Sequence, residues 1–199
     1  MSSILLVTSS PRGTASHSTR VATDLAAKLQ AALPGSTLTT RDLVANPLPH
    51  IDPVTMGAIR FPAERHDAAM QAAHPAERAV LDEFLSSDIV ILGAPMYNFT
   101  VPSSLKAWLD RLGVPGVTFS YSEAGPQGLA GGRRVIVASS QGGAYELDSP
   151  FEHQESFLRD FFAFIGIDDL EFIRATRIGF GPEARETALA AAGVEIARL

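Results

Sequence analysis

Hydrophobic positions along this chain switch repeatedly between two patterns. Ile4-Leu5-Leu6-Val7, Ile89-Val90-Ile91-Leu92 and Val135-Ile136-Val137 are unbroken aliphatic runs. Such runs predict strands covered on both faces, as in a parallel sheet. Between them the apolar residues recur at helical spacing. Val21, Leu25, Leu29 and Leu33 predict an amphipathic helix from about Ser18 to Leu33, stopped by Pro34-Gly35. Val80, Leu81, Phe84 and Leu85 predict a helix opened by Pro75. Leu105, Trp108, Leu109 and Leu112 predict another, after Val101-Pro102, with Pro at its first position. Phe157, Leu158, Phe161, Phe162 and Ile165 mark a strongly apolar helix ended at Gly166, and Pro182 opens a last, Ala-rich one.

Two further strands are less uniform. Ser36 to Leu43 alternates apolar and polar residues and is rich in Thr, which suits an exposed second strand. Leu170 to Ile178 reads as a fifth. Val117 to Tyr121 reads as a small extended arm, with Gly125-Pro126 and Gly131-Gly132 as turns. The segment Asn46 to His74, with Pro47, Pro49, Pro53 and Pro62, keeps no period and is longer than a loop should be. It is either an excursion with short helices or a cover over something. Strands alternating with crossover helices predict an α/β fold, a doubly wound parallel sheet of order 2-1-3-4-5 in one domain over residues 1–199.

Composition narrows the class. The 199 residues fit one domain, and 46% hydrophobic residues suffice for a sizeable core. Without cysteine there is no disulfide, thiol catalysis or thiolate metal site, and a reducing compartment suits the chain. A net charge of −6 argues against nucleic-acid and anionic-membrane partners. Met1 leads almost directly into a strand with no basic segment before it, so no signal peptide is expected. The apolar runs fall short of the roughly 18 residues a membrane span requires. The expectation is a soluble cytoplasmic protein. Five scattered histidines show no metal spacing, so no metal site is expected.

Candidate chemistry gathers after three of the strands. In open α/β sheets, ligands bind beyond the carboxyl ends of the strands. The central run ends at Gly93-Ala94-Pro95 and continues as Met96-Tyr97-Asn98-Phe99, three large side chains and one amide. That suits a flat heteroaromatic ligand, although Tyr97 and Phe99 could instead plug the core top. The loop after the first strand holds Ser9, Ser10, Thr14, Ser16, Ser18 and Thr19 and runs into a helix start, a place for a phosphate. An ordinary N-cap would need one such residue. No P-loop lysine is present, which argues against nucleoside triphosphates. The loop after the fourth strand, Ser139-Ser140-Gln141-Gly142-Gly143, allows close backbone approach to a ligand, or is a plain turn.

Together these residues resemble the FMN-dependent NADH:quinone oxidoreductases, or azoreductases, of the flavodoxin-like fold. The most specific piece is Ala94-Pro95-Met96-Tyr97-Asn98-Phe99. Arg41-Asp42-Leu43, Ala45-Asn46-Pro47, Gly116-Val117-Thr118-Phe119, Gly125-Pro126, Gly128-Leu129 and Phe164-Ile165-Gly166-Ile167 support it. The resemblance implies a flavodoxin-like three-layer sandwich that binds FMN non-covalently. It implies that Ser10, Ser16, His17 and Ser18 hold the phosphate end. Met96, Tyr97, Asn98 and Phe99 would contact the ring and ribityl parts. Ser140, Gln141, Gly142 and Gly143 would close over the pyrimidine edge. Gln141 stands where the family often has Arg, which bears on flavin potential. Further implications are a ping-pong reaction, NADH or NADPH as reductant, a quinone or azo acceptor, no catalytic side chain, and a homodimer. Tyr121, Phe151, Phe161 and Phe162 are candidates for an apolar lid, with Tyr121 and Phe162 named as substrate-binding, unless they pack in the core.

Other motifs compete. Gly179-Phe180-Gly181-Pro182-Glu183-Ala184 matches G-x-G-x-x-A, but the chain ends before an acidic residue about 20 positions on at a strand end, and Pro182 reads better as a helix start. Ser103-Ser104-Leu105-Lys106 matches S-x-x-K without its companion motifs. Ala138-Ser139-Ser140-Gln141-Gly142 is a loose nucleophile elbow, so a hydrolase using Ser140 is one alternative. A flavodoxin-like electron carrier is the other.

Overall fold

A computed structural model describes residues 2–199. In chain order it forms β1 (Ser3–Thr8), α1 (His17–Ala32), β2 (Thr37–Asp42), α2 (Pro53–Arg60), α3 (Ala68–Leu85), β3 (Ile89–Pro95), α4 (Ser103–Leu112), β4 (Phe119–Ser122), β5 (Gly125–Gly128), β6 (Arg134–Ser140), α5 (Glu155–Phe164), β7 (Asp169–Ala175) and α6 (Pro182–Arg198). The main sheet runs β2-β1-β3-β6-β7 with every pair parallel. This is the expected 2-1-3-4-5 order. The register sets Thr8 beside Gly93 and Pro95 beside Ser140, so the loops after β1, β3 and β6 leave one edge of the sheet.

The aliphatic runs form central strands because alternate residues are wanted on both faces. Leu5, Val7, Val90, Leu92, Val135 and Val137 share one buried cluster with Phe84, Trp108, Leu158 and Phe162 of α3, α4 and α5. Ile4, Leu6, Ile91 and Ile136 share another with Leu25 and Leu29 of α1 and Ile196 of α6. Each such fully buried side chain is worth roughly 1.5–3 kcal/mol of transfer free energy. β2 is an edge strand, which explains its Thr-rich, half-exposed pattern. Among the described residues, no helix is long and apolar enough to cross a membrane.

Four boundaries differ from the sequence reading. Pro75 does not open α3 but lies inside it. The helix starts seven residues earlier, where the Asp67 carboxylate accepts the Met70 N–H at 2.8 Å. Gln71 and His74 then bond the carbonyls of His66 and Ala58, so tertiary contacts hold the turn that Pro75 weakens. Pro102 is the N-cap of α4 rather than its first residue. Gly125-Pro126 is not a turn but the start of β5, which pairs antiparallel with β4. This hairpin lies so close to the end of α5 that a Cβ on Gly128 would sit 2.1 Å from the Gly166 nitrogen. β7 ends at Ala175, three residues early, because Ile178 bonds the neighbouring loop instead. The unpatterned segment does hold short helices, α2 and a single 3₁₀ turn at Ala63–Arg65.

Candidate active site

The start of α1 is built from the hydroxyl-rich loop. Ser16 keeps extended backbone, and its Oγ accepts the Thr19 N–H at 3.4 Å, so Ser16 is the N-cap. Its Oγ also lies 3.1 Å from the Ser18 Oγ, and both residues are buried. The Arg20 N–H is taken by the Ser16 carbonyl. That leaves the N–H groups of His17 and Ser18 at the positive end of the helix. Ser10 lies beside them, its hydroxyl 3.2 Å from the Tyr97 hydroxyl.

The loop after β3 is a strained turn. Tyr97 and Thr100 exchange two backbone hydrogen bonds, at 3.0 and 3.2 Å. Asn98 and Phe99 between them have φ of 48° and 75°. Positive φ at both central residues defines a type I′ turn, which suits Asn but not Phe. A bulky residue there costs of order 1–3 kcal/mol and persists only where its surroundings hold it. Here the His153 N–H donates to the Phe99 carbonyl at 3.1 Å, and the Thr100 hydroxyl donates to the His153 carbonyl at 3.2 Å. The Phe99 ring packs against Tyr145 and Phe151, with centroids 5.8 and 5.2 Å away.

The loop after β6 is zipped to the loop after β7. Ile178, Gly179 and Arg177 donate their N–H groups to the carbonyls of Gln141, Gly142 and Gly143, at 3.2, 3.0 and 2.6 Å. Gly179 is needed for this, since a Cβ there would lie 3.0 Å from the Gly142 oxygen. The Met96 N–H donates to the Ser140 carbonyl at 2.8 Å and joins this pair to the β3 loop. Gln141 is buried, and its Oε1 has no partner among the described residues.

A cavity of about 290 Å³ lies between these loops. Ser10, Ser16, His17, Met96, Tyr97, Ser140 and Gly142 line it, as the sequence led one to expect. Ser18 sits behind Ser16, and Gln141 and Gly143 flank Gly142. Asn98 and Phe99 lie on the exposed turn beyond Tyr97. The sequence reading missed five lining residues: Arg12, Pro95, Ile178, Gly179 and Arg185. For Ile178 and Gly179 the Gly179-Phe180-Gly181 motif was the available signal, since its first Gly marks a close backbone approach. Burial lowers the His17 imidazole below its ordinary value, and the positive charges of Arg12, Arg185 and Arg20 push it the same way. No carboxylate lines the cavity. Hydroxyls, free helix N–H groups and guanidinium groups fit a phosphate, and the adjoining aromatic turn fits a flat ring.

A second cavity, about 760 Å³, opens on the other side of Tyr97. Leu43, Val44 and Pro47 after β2, the start of α4, and Phe157 line it.

Two expected substrate-side aromatics are placed elsewhere. Phe162 is fully buried in the core, because Leu158, Phe162 and Ile165 form the inward stripe of α5. Tyr121 is 74% exposed on the β4–β5 hairpin, edge-on to Phe119, and lines neither cavity. Of the other two lid candidates, Phe161 packs half-buried against the core and Phe151 stands beside Phe99. The hydrolase alternative also fails geometrically. Ser140 is the last residue of β6 and shows no left-handed elbow backbone, and no histidine or carboxylate bonds its hydroxyl among the described residues.

Fold and site together define a flavodoxin-like α/β protein with a hydroxyl- and guanidinium-lined cavity at a helix start. The family model described as flavodoxin-like fold matches residues 2–199. Similar curated proteins include the FMN-dependent NADH:quinone oxidoreductase of Azospirillum brasilense, 45% identical over 197 residues, 97% of this chain and 95% of that one. That of Stenotrophomonas maltophilia is 47% identical over 189 residues, 95% and 91% of the two chains. Among solved structures, an FMN-dependent NADH-azoreductase from Bacillus anthracis in complex with FMN superposes with a TM-score of 0.87 at 25% identity, covering 100% and 99%. The chain belongs to the FMN-dependent NADH:quinone oxidoreductase family.

Proposed function

We propose that this chain is a single flavodoxin-like FMN-binding unit, a three-layer sandwich, that reduces quinones or azo compounds with NADH or NADPH by a ping-pong scheme. The observation that carries this is the cavity where hydroxyls, free N–H groups and cations meet the aromatic turn of β3. Bound FMN supplies two-electron transfer chemistry at that place. The chain supplies binding and orientation. Ser10, Ser16, Ser18 and the N–H groups of His17 and Ser18 hold a phosphate. Met96, Tyr97 and Asn98 border the ring and ribityl chain. The N–H groups of Gly142 and Gly143, whose carbonyls are occupied by the β7 loop, offer donors to a polar ring edge. The sequence offers no second nucleotide motif with its acidic partner, so reductant and acceptor would take turns over one exposed face. The exposed rings of Phe99 and Phe151 border that face.

A homodimer is supported by the large apolar cavity beside Tyr97 and by exposed Val44, Met56 and Phe61 on the segment after β2. Sedimentation showing a fully active monomer at micromolar concentration would remove it.

The test is spectroscopic and kinetic. The purified protein should be yellow, and anaerobic NADH or NADPH alone should bleach it. Double-reciprocal plots at several quinone concentrations should be parallel. Converging lines would show two separate sites. A flavin that only a reductase protein can reduce would favour an electron carrier.

A further inference from the structure

The cavity at the start of α1 contains one group that the helix start does not explain. Arg185 is the fourth residue of α6, almost 170 positions from Ser16, yet it lines the same cavity as Ser10, Ser16 and His17. It gets there because α6 packs beside α1, with Ile196 and Ala192 in one cluster with Val21 and Leu25. The zipped loop after β7 fixes where α6 begins.

Arg185 is also unlike the other half-buried or buried arginines. Arg41, Arg111 and Arg134 are each tied to a carboxylate, and Arg133 to backbone carbonyls. Arg185 has no ion pair and no side-chain hydrogen bond among the described residues, and neither does Arg12, which lines the same cavity. The half-buried imidazole of His17 lies close enough to feel both charges. A partly desolvated cation facing another cation is unfavourable unless an anion sits between them.

We propose that Arg185, helped by Arg12, is a second anchor for the flavin phosphate, so that this chain selects phosphorylated flavin over riboflavin. The inference rests on the FMN reading above. On one side the α1 start offers N–H groups and the hydroxyls of Ser16 and Ser18. On the other, the guanidinium fork of Arg185 matches two phosphate oxygens at once, which a hydroxyl cannot do. Riboflavin keeps the ring and ribityl contacts but brings no charge to either wall. Arg185 is thus a cofactor-binding residue, acting on a part of the cofactor remote from the reacting ring.

The experiment measures the affinity of the apoprotein for FMN and for riboflavin by fluorescence quenching, at several salt concentrations. Arg185→Ala should weaken FMN by about tenfold or more, as loss of a charge-assisted contact does, and leave riboflavin unchanged. Arg185→Lys should fall between, because it keeps charge without the fork. The salt dependence of FMN binding should flatten in Arg185→Ala. Equal weakening of both flavins would show a merely structural role and overturn the proposal, as would unchanged FMN affinity. If Arg185→Ala does not fold, the Lys variant and Arg12→Ala carry the same comparison. A wild-type chain that binds neither flavin overturns the FMN reading itself. One that binds FMN no more tightly than riboflavin overturns only the phosphate anchor.

Discussion

The cavity at the start of α1 and the turn at the end of β3 share Tyr97 and little else. The first is polar and cationic, and its serines are buried: Ser10, Ser16 and Ser140 are all under 5% exposed. Its helix-start N–H groups, hydroxyls and guanidinium groups gather around one cavity. The second is aromatic and exposed, with Tyr97 at 36%, Phe99 at 41% and Phe151 at 53%. Its backbone is strained at Asn98 and Phe99 and is held from outside by His153. Under the proposed function, the difference amounts to a division of labour. A group that must be kept for the life of the enzyme is met by preformed, hydrogen-bonded walls. Partners that come and go are met by rings whose contacts are non-directional and whose turn can adjust.

The sharpest way to break this comparison is at the polar end. Replacing Ser10 and Ser16 together by Ala should weaken FMN about a hundredfold or more, since each hydroxyl contact to a charged group is worth roughly 1.5–3 kcal/mol. The quinone KM of the FMN-saturated variant should stay unchanged, and flavin titration followed by steady-state kinetics separates the two. A raised KM with intact FMN affinity would reverse the roles of the two regions.

Next in size is the footing of the mouth. Glu155 is 5% exposed and bonds Arg159 at 2.6 Å and Arg174 at 2.5 Å, while Gln154 beside it bonds the Ala94 carbonyl at 3.2 Å. Burial alone would raise the Glu155 carboxyl, but the hydrogen bonds from Arg174 and Arg159 outweigh it and the net shift is downward. Glu155→Ala should therefore cost about 2 kcal/mol of stability, less than a fully buried pair because both arginines can turn to water. A carboxylate with a depressed folded pKa stabilises above its unfolded value near 4.3 and loses that stability as pH falls through the folded value. The stability gap between wild type and Glu155→Gln, read by urea unfolding, should accordingly close below about pH 4. A gap that persists at low pH would assign the effect to packing.

A smaller effect is expected at the strained turn itself. Phe99→Gly relieves a left-handed Phe and should leave stability equal or higher by up to about 1 kcal/mol. It should still lower kcat/KM for the acceptor, because a ring of the mouth is gone. Phe99→Ala keeps the strain and serves as the control. Unaltered acceptor kinetics in both would leave Phe99 as a plug.

The smallest is a titration. His17 sits with its imidazole held low by burial and by Arg12, Arg185 and Arg20. A phosphate dianion placed among them favours the imidazolium, so saturation with FMN should raise the His17 midpoint in proton NMR. An unmoved midpoint would place the phosphate elsewhere.

Much of this was legible in one dimension. The aliphatic runs of β1, β3 and β6 and the helical stripe of α1 announce themselves because strand and helix periods are local. Ser16 as a cap and the donors of the α1 start are likewise a matter of neighbours in sequence. Pro75 was misplaced because its local preference to start a helix is outweighed by Asp67, Gln71 and His74, two of which act through partners outside the helix. Phe162 and Tyr121 could not be sorted by type: an aromatic at helical spacing faces the core or the solvent according to which helix face meets the sheet. Arg185 left no sequence signal at all. Its place in one cavity with Ser16 exists only because the crossover after β7 lays α6 against α1. Periodicity fixes what each segment is, through interactions a few residues long. Which segments then face each other across a cavity is set by sheet order and helix packing, and those contacts join residues that no local pattern connects.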